Sequence, residues 1–246
     1  MSYRILFIGG NNQWFEGVGE KNTNIEAISF GGVLPHLEYE FYGHIASHQM
    51  IEAILEADPK KFDAIVIGCF YDPGLRELRE LLEIPVIGVG EATLHMANML
   101  TADKFSILVG RRKWIPKMQD NARNFGFDSR IASWRELGLS VHEMGNHRKT
   151  KKAILREAKA AISEDRAEVI CLGCTGMVGL ANEIQKEIKV PVLDPVVMGI
   201  KVAEMKASIR KKFGISHSKI GGYETPPLED LNIILKDIYG KGIAIN

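Results

Sequence analysis

The run Asp63-Ala64-Ile65-Val66-Ile67-Gly68-Cys69-Phe70-Tyr71-Asp72-Pro73-Gly74-Leu75 returns, altered, as Ala167-Glu168-Val169-Ile170-Cys171-Leu172-Gly173-Cys174-Thr175-Gly176-Met177-Val178-Gly179-Leu180. In each copy a short apolar run closes on Gly-Cys and gives way to a polar turn and a helical pattern. Each then reaches a second apolar run that opens on Pro-Val: Ile84-Pro85-Val86-Ile87-Gly88-Val89-Gly90-Glu91-Ala92 in the first, Val190-Pro191-Val192-Leu193-Asp194-Pro195 in the second. Cys69 precedes Pro85 by 16 positions, and Cys174 precedes Pro191 by 17. Agreement at several separate points predicts two equivalent strand–loop–helix units. The expected architecture is α/β: two similar lobes with parallel sheets, related by a pseudo-twofold axis, with an active site between them. Residues 1–100 and 196–246 form the expected first lobe, and 101–195 the second.

Outward from the repeat, short apolar runs alternate with amphipathic stretches. Expected strands are Arg4–Ile8, Leu37–Tyr42, Ala64–Gly68, Val86–Val89, Phe105–Val109 and Val169–Gly173, rich in Ile, Val, Leu and Phe as strands buried on both faces should be. Expected helices are Met50–Ala57, Gly74–Leu82, Ala92–Leu100, Ile115–Asn124, Lys151–Glu164, Met177–Ile188 and Met198–Phe213. The alternation predicts parallel sheets. No Gly/Ser-rich or Pro-rich linker divides the chain, and Asp194-Pro195 reads as a turn.

The 246 residues suffice for a substantial core. Lys+Arg and Asp+Glu both number 31, so no basic excess points to nucleic acid. The opening residues lack the apolar length of a signal peptide, and no run approaches the ~20 apolar residues that span a bilayer. The expectation is a cytoplasmic protein with reduced thiols. Three cysteines at irregular spacing do not make a disulfide framework.

Cys69 and Cys174 each follow a glycine at the carboxyl end of an expected parallel strand, the edge at which open α/β sheets bind ligands. The field of a following helix favours anions there, so the thiol should have a lowered pKa, and nearby backbone N–H groups could hold a developing oxyanion. Two thiols facing each other suit racemisation: one removes an acidic proton from carbon, the other returns a proton to the opposite face, and the roles exchange for the other enantiomer. A single free cysteine is more often a small buried hydrophobe. Two in equivalent repeat positions reverse that preference. Cys171, flanked by Ile170 and Leu172, reads as core.

Cys171-x-x-Cys174 could be a redox dithiol, but that motif normally opens a helix, whereas Cys171 falls within a strand. His142, His147 and His217 lack metal-motif spacing, and His36, His44, His48 and His95 are scattered, so no metal is expected. Gly88-Val89-Gly90-Glu91-Ala92 lacks the third glycine of a dinucleotide fingerprint, and no Walker lysine motif occurs. No lysine stands in a recognisable Schiff-base context. No cofactor is expected.

These residues resemble the aspartate/glutamate/hydantoin racemase superfamily, and its hydantoin/allantoin racemase branch in particular. The resemblance rests on Gly68–Leu75, Pro85–Ala92 and Leu172–Met177, with Phe105–Val109 and Ile115-Pro116 also similar. It covers the chain to about Lys212. It implies two lobes, an interlobe active site, cofactor independence, a small-molecule substrate and homo-oligomers. The chain departs from the branch where Gly9-Gly10-Asn11-Asn12 replaces an Asn-Pro-Asn-Thr-like loop, and where Val109 and Gly110 replace a Thr-Thr pair. The resemblance does not extend to the segment from Ser216 on.

The expected catalytic pair is Cys69 and Cys174. Expected substrate contacts are Asn11, Phe70, Thr175 and Gly176, with Glu91 a lesser candidate because a Glu at a helix start is often only a dipole partner. A hydantoin C5–H, whose carbanion is delocalised into the ring carbonyl, suits a thiolate base. No arginine stands in either cysteine loop to hold a dicarboxylate. The favoured substrate is therefore a 5-substituted hydantoin or an allantoin-like ring. The other readings are an aspartate/glutamate-type racemase, a maleate-type isomerase, a decarboxylase (which needs only one protonating cysteine), and a non-catalytic binding or redox-sensing protein.

Overall fold

The computed structural model describes residues 2–30, 32 and 34–239. The first half of the chain runs β1 (Tyr3–Ile8), β2 (Thr23–Ile28), α1 (Glu40–Glu56), β3 (Ala64–Ile67), α2 (Leu75–Leu81), β4 (Val86–Gly88) and α3 (Val89–Leu100). The second runs β5 (Phe105–Val109), α4 (Ile115–Asn124), β6 (Ile131–Glu136), α5 (His147–Asp165), β7 (Val169–Leu172), α6 (Ala181–Ile188), β8 (Val192–Leu193), α7 (Pro195–Phe213) and α8 (Leu228–Tyr239).

The strands form two four-stranded sheets, ordered β2-β1-β3-β4 and β6-β5-β7-β8. The second order is the first displaced by four strands, so the sequence repeat is a repeat of topology. β1 runs parallel to β2 and β3, and β5 parallel to β6 and β7, with β8 parallel to β7. Ile8 pairs with Ile67 and Leu108 with Leu172, so the inner strands of each sheet end together at one carboxyl edge. β3, β5 and β7 are buried at every position, as continuous Ile/Val/Leu runs covered on both faces must be.

The edge strands β2 (Thr-Asn-Ile-Glu-Ala-Ile) and β6 (Ile-Ala-Ser-Trp-Arg-Glu) escape a reading based on apolar runs, because they are only partly buried and carry polar residues. Leu37–Tyr42 is not a strand. α1 begins at Glu40, and its buried face is Ala46, Met50, Ile54 and Leu55, a helical spacing. Tyr39 and Phe41 are exposed, so the aromatic alternation that mimics a strand carries no core. α8 lies in the segment from Ser216 on, to which the sequence resemblance does not extend.

Contacts divide the chain into two compact units. One runs to Ile67, takes in Pro73–Ile87 and resumes at Ile200; the other comprises Gly68–Asp72 and Gly88–Gly199. Residues 88–100, grouped by sequence with the first lobe, thus pack with the second unit. Leu94 and Ala97 of α3 join the core built on Phe105, Ile107, Leu108 and Val169.

Candidate active site

Both cysteine turns, Gly68–Asp72 and the one around Cys174, fall within the second unit. Their local geometry is the same. In the first, the Asp72 amide donates to the Cys69 carbonyl at 2.9 Å; in the second, the Met177 amide donates to the Cys174 carbonyl at 3.1 Å. In each turn the sulfur accepts an N–H two residues on: Tyr71 N–H to Cys69 Sγ, and Gly176 N–H to Cys174 Sγ at 3.4 Å. A backbone donor aimed at sulfur favours the thiolate over the thiol. Thr175 links the turns, its buried Oγ1 donating to the Gly68 carbonyl at 3.1 Å.

Cys69 and Cys174 are both partly exposed, whereas Cys171 is fully buried in the core. The thiols of Cys69 and Cys174 are near enough that charge on Cys174 acts on Cys69. The expected depression of the Cys69 pKa does not occur. Burial pushes this thiol up to about 12; the Tyr71 N–H opposes that, while the charges of Cys174 and Asp72 add to it. Desolvation of a thiolate in a closely packed turn outweighs one backbone donor. Burial alone pushes the Cys171 thiol well above the ordinary range.

A residue that sequence reasoning missed holds the first turn in place. Asp72, left-handed at φ 49° and 7% exposed, accepts from the Gly90 amide at 2.9 Å and the Glu91 amide at 2.7 Å. Its carboxylate caps the N-terminus of α3, whose own cap residue, Gly88, offers no side-chain oxygen. The fit needs two glycines. A Cβ at Gly88 would stand 2.3 Å from the Asp72 Cγ, and one at Gly90 2.4 Å from the Phe70 carbonyl. Gly-Val-Gly is thus a seat for the Cys69 turn and not a nucleotide loop.

The second copy achieves the same with the carboxylate on the other partner. Asp194 caps α7 through the Val196 amide at 2.9 Å and reaches back to the Gly179 amide at 2.8 Å. Asp194-Pro195, expected to be only a turn, is a helix cap followed by the N-terminal proline such caps favour. The signal was there: an Asp before an N1 proline.

The other sequence candidates divide. Phe70 is buried in the core of the second unit. Glu91 lies in the first turn of α3 with its amide committed to Asp72. Gly176 is exposed beside Cys174. Asn11 belongs to the first unit, where its Oδ1 accepts from the Gln13 amide at 3.0 Å and caps the short turn Asn12–Phe15. Among the described residues, no group of three His, Cys, Asp or Glu is arranged to hold a metal ion. No helix there is long and apolar enough to cross a membrane.

Two parallel sheets of identical strand order, each followed by a Gly-Cys turn after its third strand in sequence, define an α/β protein built by duplication around a cysteine pair. The chain belongs to the Asp/Glu/hydantoin racemase family, which it matches over residues 10–203. It is 36% identical to a hydantoin racemase of Paenarthrobacter aurescens over 207 residues, 83% of this chain and 85% of that one. Among solved structures it resembles the allantoin racemase from Pseudomonas fluorescens, with a TM-score of 0.83 and 31% identity over 91% of this chain and 97% of that one. The allantoin racemase from Klebsiella pneumoniae matches with a TM-score of 0.84 and 30% identity, covering 92% and 94%. These similarities place the chain in the hydantoin/allantoin branch and make it an isomerase of the racemase type.

Proposed function

We propose that the protein racemises a small ring with an acidic C–H, a 5-substituted hydantoin or an allantoin-like ring, using Cys69 and Cys174 as the two proton-transfer groups. The observation that carries this reading is the matched pair of turns. Each has its sulfur held by the N–H two residues on, in a partly exposed residue, and the two sulfurs lie within each other's field.

In one direction a Cys174 thiolate takes the ring C–H proton, and the electron pair passes into the adjacent carbonyl. The Cys69 S–H then protonates the carbon from the opposite face. The enzyme is left with a Cys174 thiol and a Cys69 thiolate, the reactants for the reverse direction, so the groups must be chemically alike. The names of the relatives support a ring substrate, and so does the occupancy of the helix ends. The N–H groups opening α3 and α7, which would otherwise suit a substrate carboxylate, are taken by Asp72 and Asp194. Arg79, near the Cys69 turn in sequence, is buried and donates to the Val86 carbonyl. Nothing in either cysteine turn supplies the cations a dicarboxylic amino acid would want.

Cys69→Ser and Cys174→Ser should each lower racemisation of the true substrate by about 100- to 10,000-fold. In deuterated water each variant should exchange the ring proton of one enantiomer only, and the two should prefer opposite enantiomers. Either variant racemising at the wild-type rate sinks the two-thiol mechanism. Optically pure hydantoins, allantoin and amino acids, followed by optical rotation, decide the substrate.

A further inference from the structure

We infer that Asn121 is a positioning residue for Cys69: its side-chain amide, reaching in from α4, fixes the peptide plane that holds the Cys69 turn closed. The catalytic consequence rests on the two-thiol reading; the structural one does not. Asn121 Nδ2 donates to the Tyr71 carbonyl at 2.7 Å, a short and partly buried bond between residues 50 positions apart. The same peptide plane carries the Asp72 N–H, which donates to the Cys69 carbonyl at 2.9 Å. The C=O and N–H of a trans peptide point in opposite directions, so this plane is held at both ends and cannot turn without breaking both bonds. Tyr71 is also the residue whose own N–H is directed at Cys69 Sγ.

Asn121 is itself well anchored. Its helix neighbours Met118 and Ala122 are buried in the core of the second unit, which fixes the rotation of α4 and sets Asn121 at the border of the buried face. The other polar supports grip the two ends of the turn. Ahead of Cys69, Thr175 Oγ1 donates to the Gly68 carbonyl at 3.1 Å; behind it, the Asp72 carboxylate receives the Gly90 and Glu91 amides. Between these ends lie Phe70, packed into the core, and the Tyr71 carbonyl, bonded to Asn121. Apolar packing is non-directional and holds the turn down without setting the angle of its peptides, whereas a hydrogen bond sets that angle. Without the Asn121 donor the Tyr71–Asp72 plane keeps one tether of two. The Cys69 backbone, joined to that plane through its carbonyl, then gains freedom, and its sulfur moves with it. The bond comes from a helix that follows β5, a strand that carries neither cysteine, so it bears on the Cys69 turn and not on that of Cys174.

The test uses Asn121→Asp, which keeps the shape and removes the donor, and Asn121→Ala, which removes the donor without adding charge. Each is placed in full-length Cys174→Ser and Cys69→Ser proteins, and exchange of the ring proton of each enantiomer of 5-methylhydantoin is followed in deuterated water. With Cys69 acting alone, in the Cys174→Ser protein, exchange should fall about 10- to 100-fold, the scale of an ångström misplacement; with Cys174 acting alone it should change less than about twofold. A general loosening of the fold would slow both alike. The second readout needs no turnover: alkylation by iodoacetamide of the protein with all its cysteines, each site read by peptide mass spectrometry. Loss of the donor should raise the rate at Cys69 at least about threefold relative to that at Cys174, because a turn that opens locally admits the reagent. Equal loss of exchange in the two serine backgrounds overturns the inference, as does an unchanged alkylation ratio in a folded Asn121 variant. Serine proteins that exchange neither enantiomer would sink the two-thiol mechanism instead, and the alkylation ratio would still decide the role of Asn121.

Discussion

Three cysteines of one chemistry have two fates, set by a few atoms around each. Cys171 pairs across the second sheet with Ile107 and Leu193 and meets no water. Cys69 and Cys174, each two residues past the strand end, are partly exposed and receive a backbone donor. Cys171→Ala should therefore keep full racemisation and lose about 1 kcal/mol of stability through the small cavity left behind. Activity and chemical denaturation measured on the same preparation check this; a loss of turnover at unchanged stability would bring Cys171 into the site. That separation within one Cys-x-x-Cys was legible in the sequence, because Ile170 and Leu172 mark a buried strand and Gly173 marks its end.

At the scale of elements, the cysteine turns are held by helices that follow a different strand. Asp72, after β3, caps α3, after β4; Asp194, after β8, holds the loop after β7. Each contact ties two crossover units together at the carboxyl edge, beside the turn that carries the cysteine. Gly90→Ala places a Cβ against the Phe70 carbonyl, a backbone atom that can yield only by moving the turn. This variant should lose about 1–3 kcal/mol, typical of overpacking. Its turnover should fall further than that of Cys171→Ala at the same fraction folded. Calorimetry beside initial rates separates the effects. Equal turnover in the two variants would mean that the α3 seat does not position the cysteine.

The whole molecule includes a tail that the family match does not reach. Within the first unit, residues 216–225 run along the end of α2 and satisfy its exposed carbonyls. Ser216 donates to the Glu83 carbonyl and Thr225 to that of Glu80, Lys219 donates to those of Arg79 and Glu80, and His217 Nε2 lies 2.7 Å from that of Leu82. A cation and hydroxyls at a helix C-terminus answer groups that have no partner inside the helix. Burial, then the charges of Lys219 and Arg79, lowers the His217 pKa, with the Leu82 carbonyl and Glu83 opposing. A histidine whose folded pKa lies below its unfolded value binds fewer protons folded than unfolded. Its contribution is intact above the unfolded pKa of about 6.5 and is lost as pH falls below it. Urea titrations at pH 7.5 and pH 5 should show the wild type losing more stability on acidification than His217→Gln. Parallel losses would show that the histidine is not what senses pH.

The sequence by itself determined the duplication, the α/β class, the inner strands, the position of both Gly-Cys turns and the burial of Cys171. All of these follow from runs of side chains whose burial and period are local properties of the chain. Tertiary structure decided the rest. Edge strands β2 and β6 are strands only because a mostly buried neighbour offers them its hydrogen bonds, and their own polar, half-exposed residues do not announce it. Asp72 is a helix cap only because α3 begins 17 positions further on, and Gly88 and Gly90 matter only because that carboxylate comes down upon them. The thiol of Cys69 is raised and not lowered because desolvation depends on everything packed around the turn, whereas the field of the following helix was all the sequence displayed.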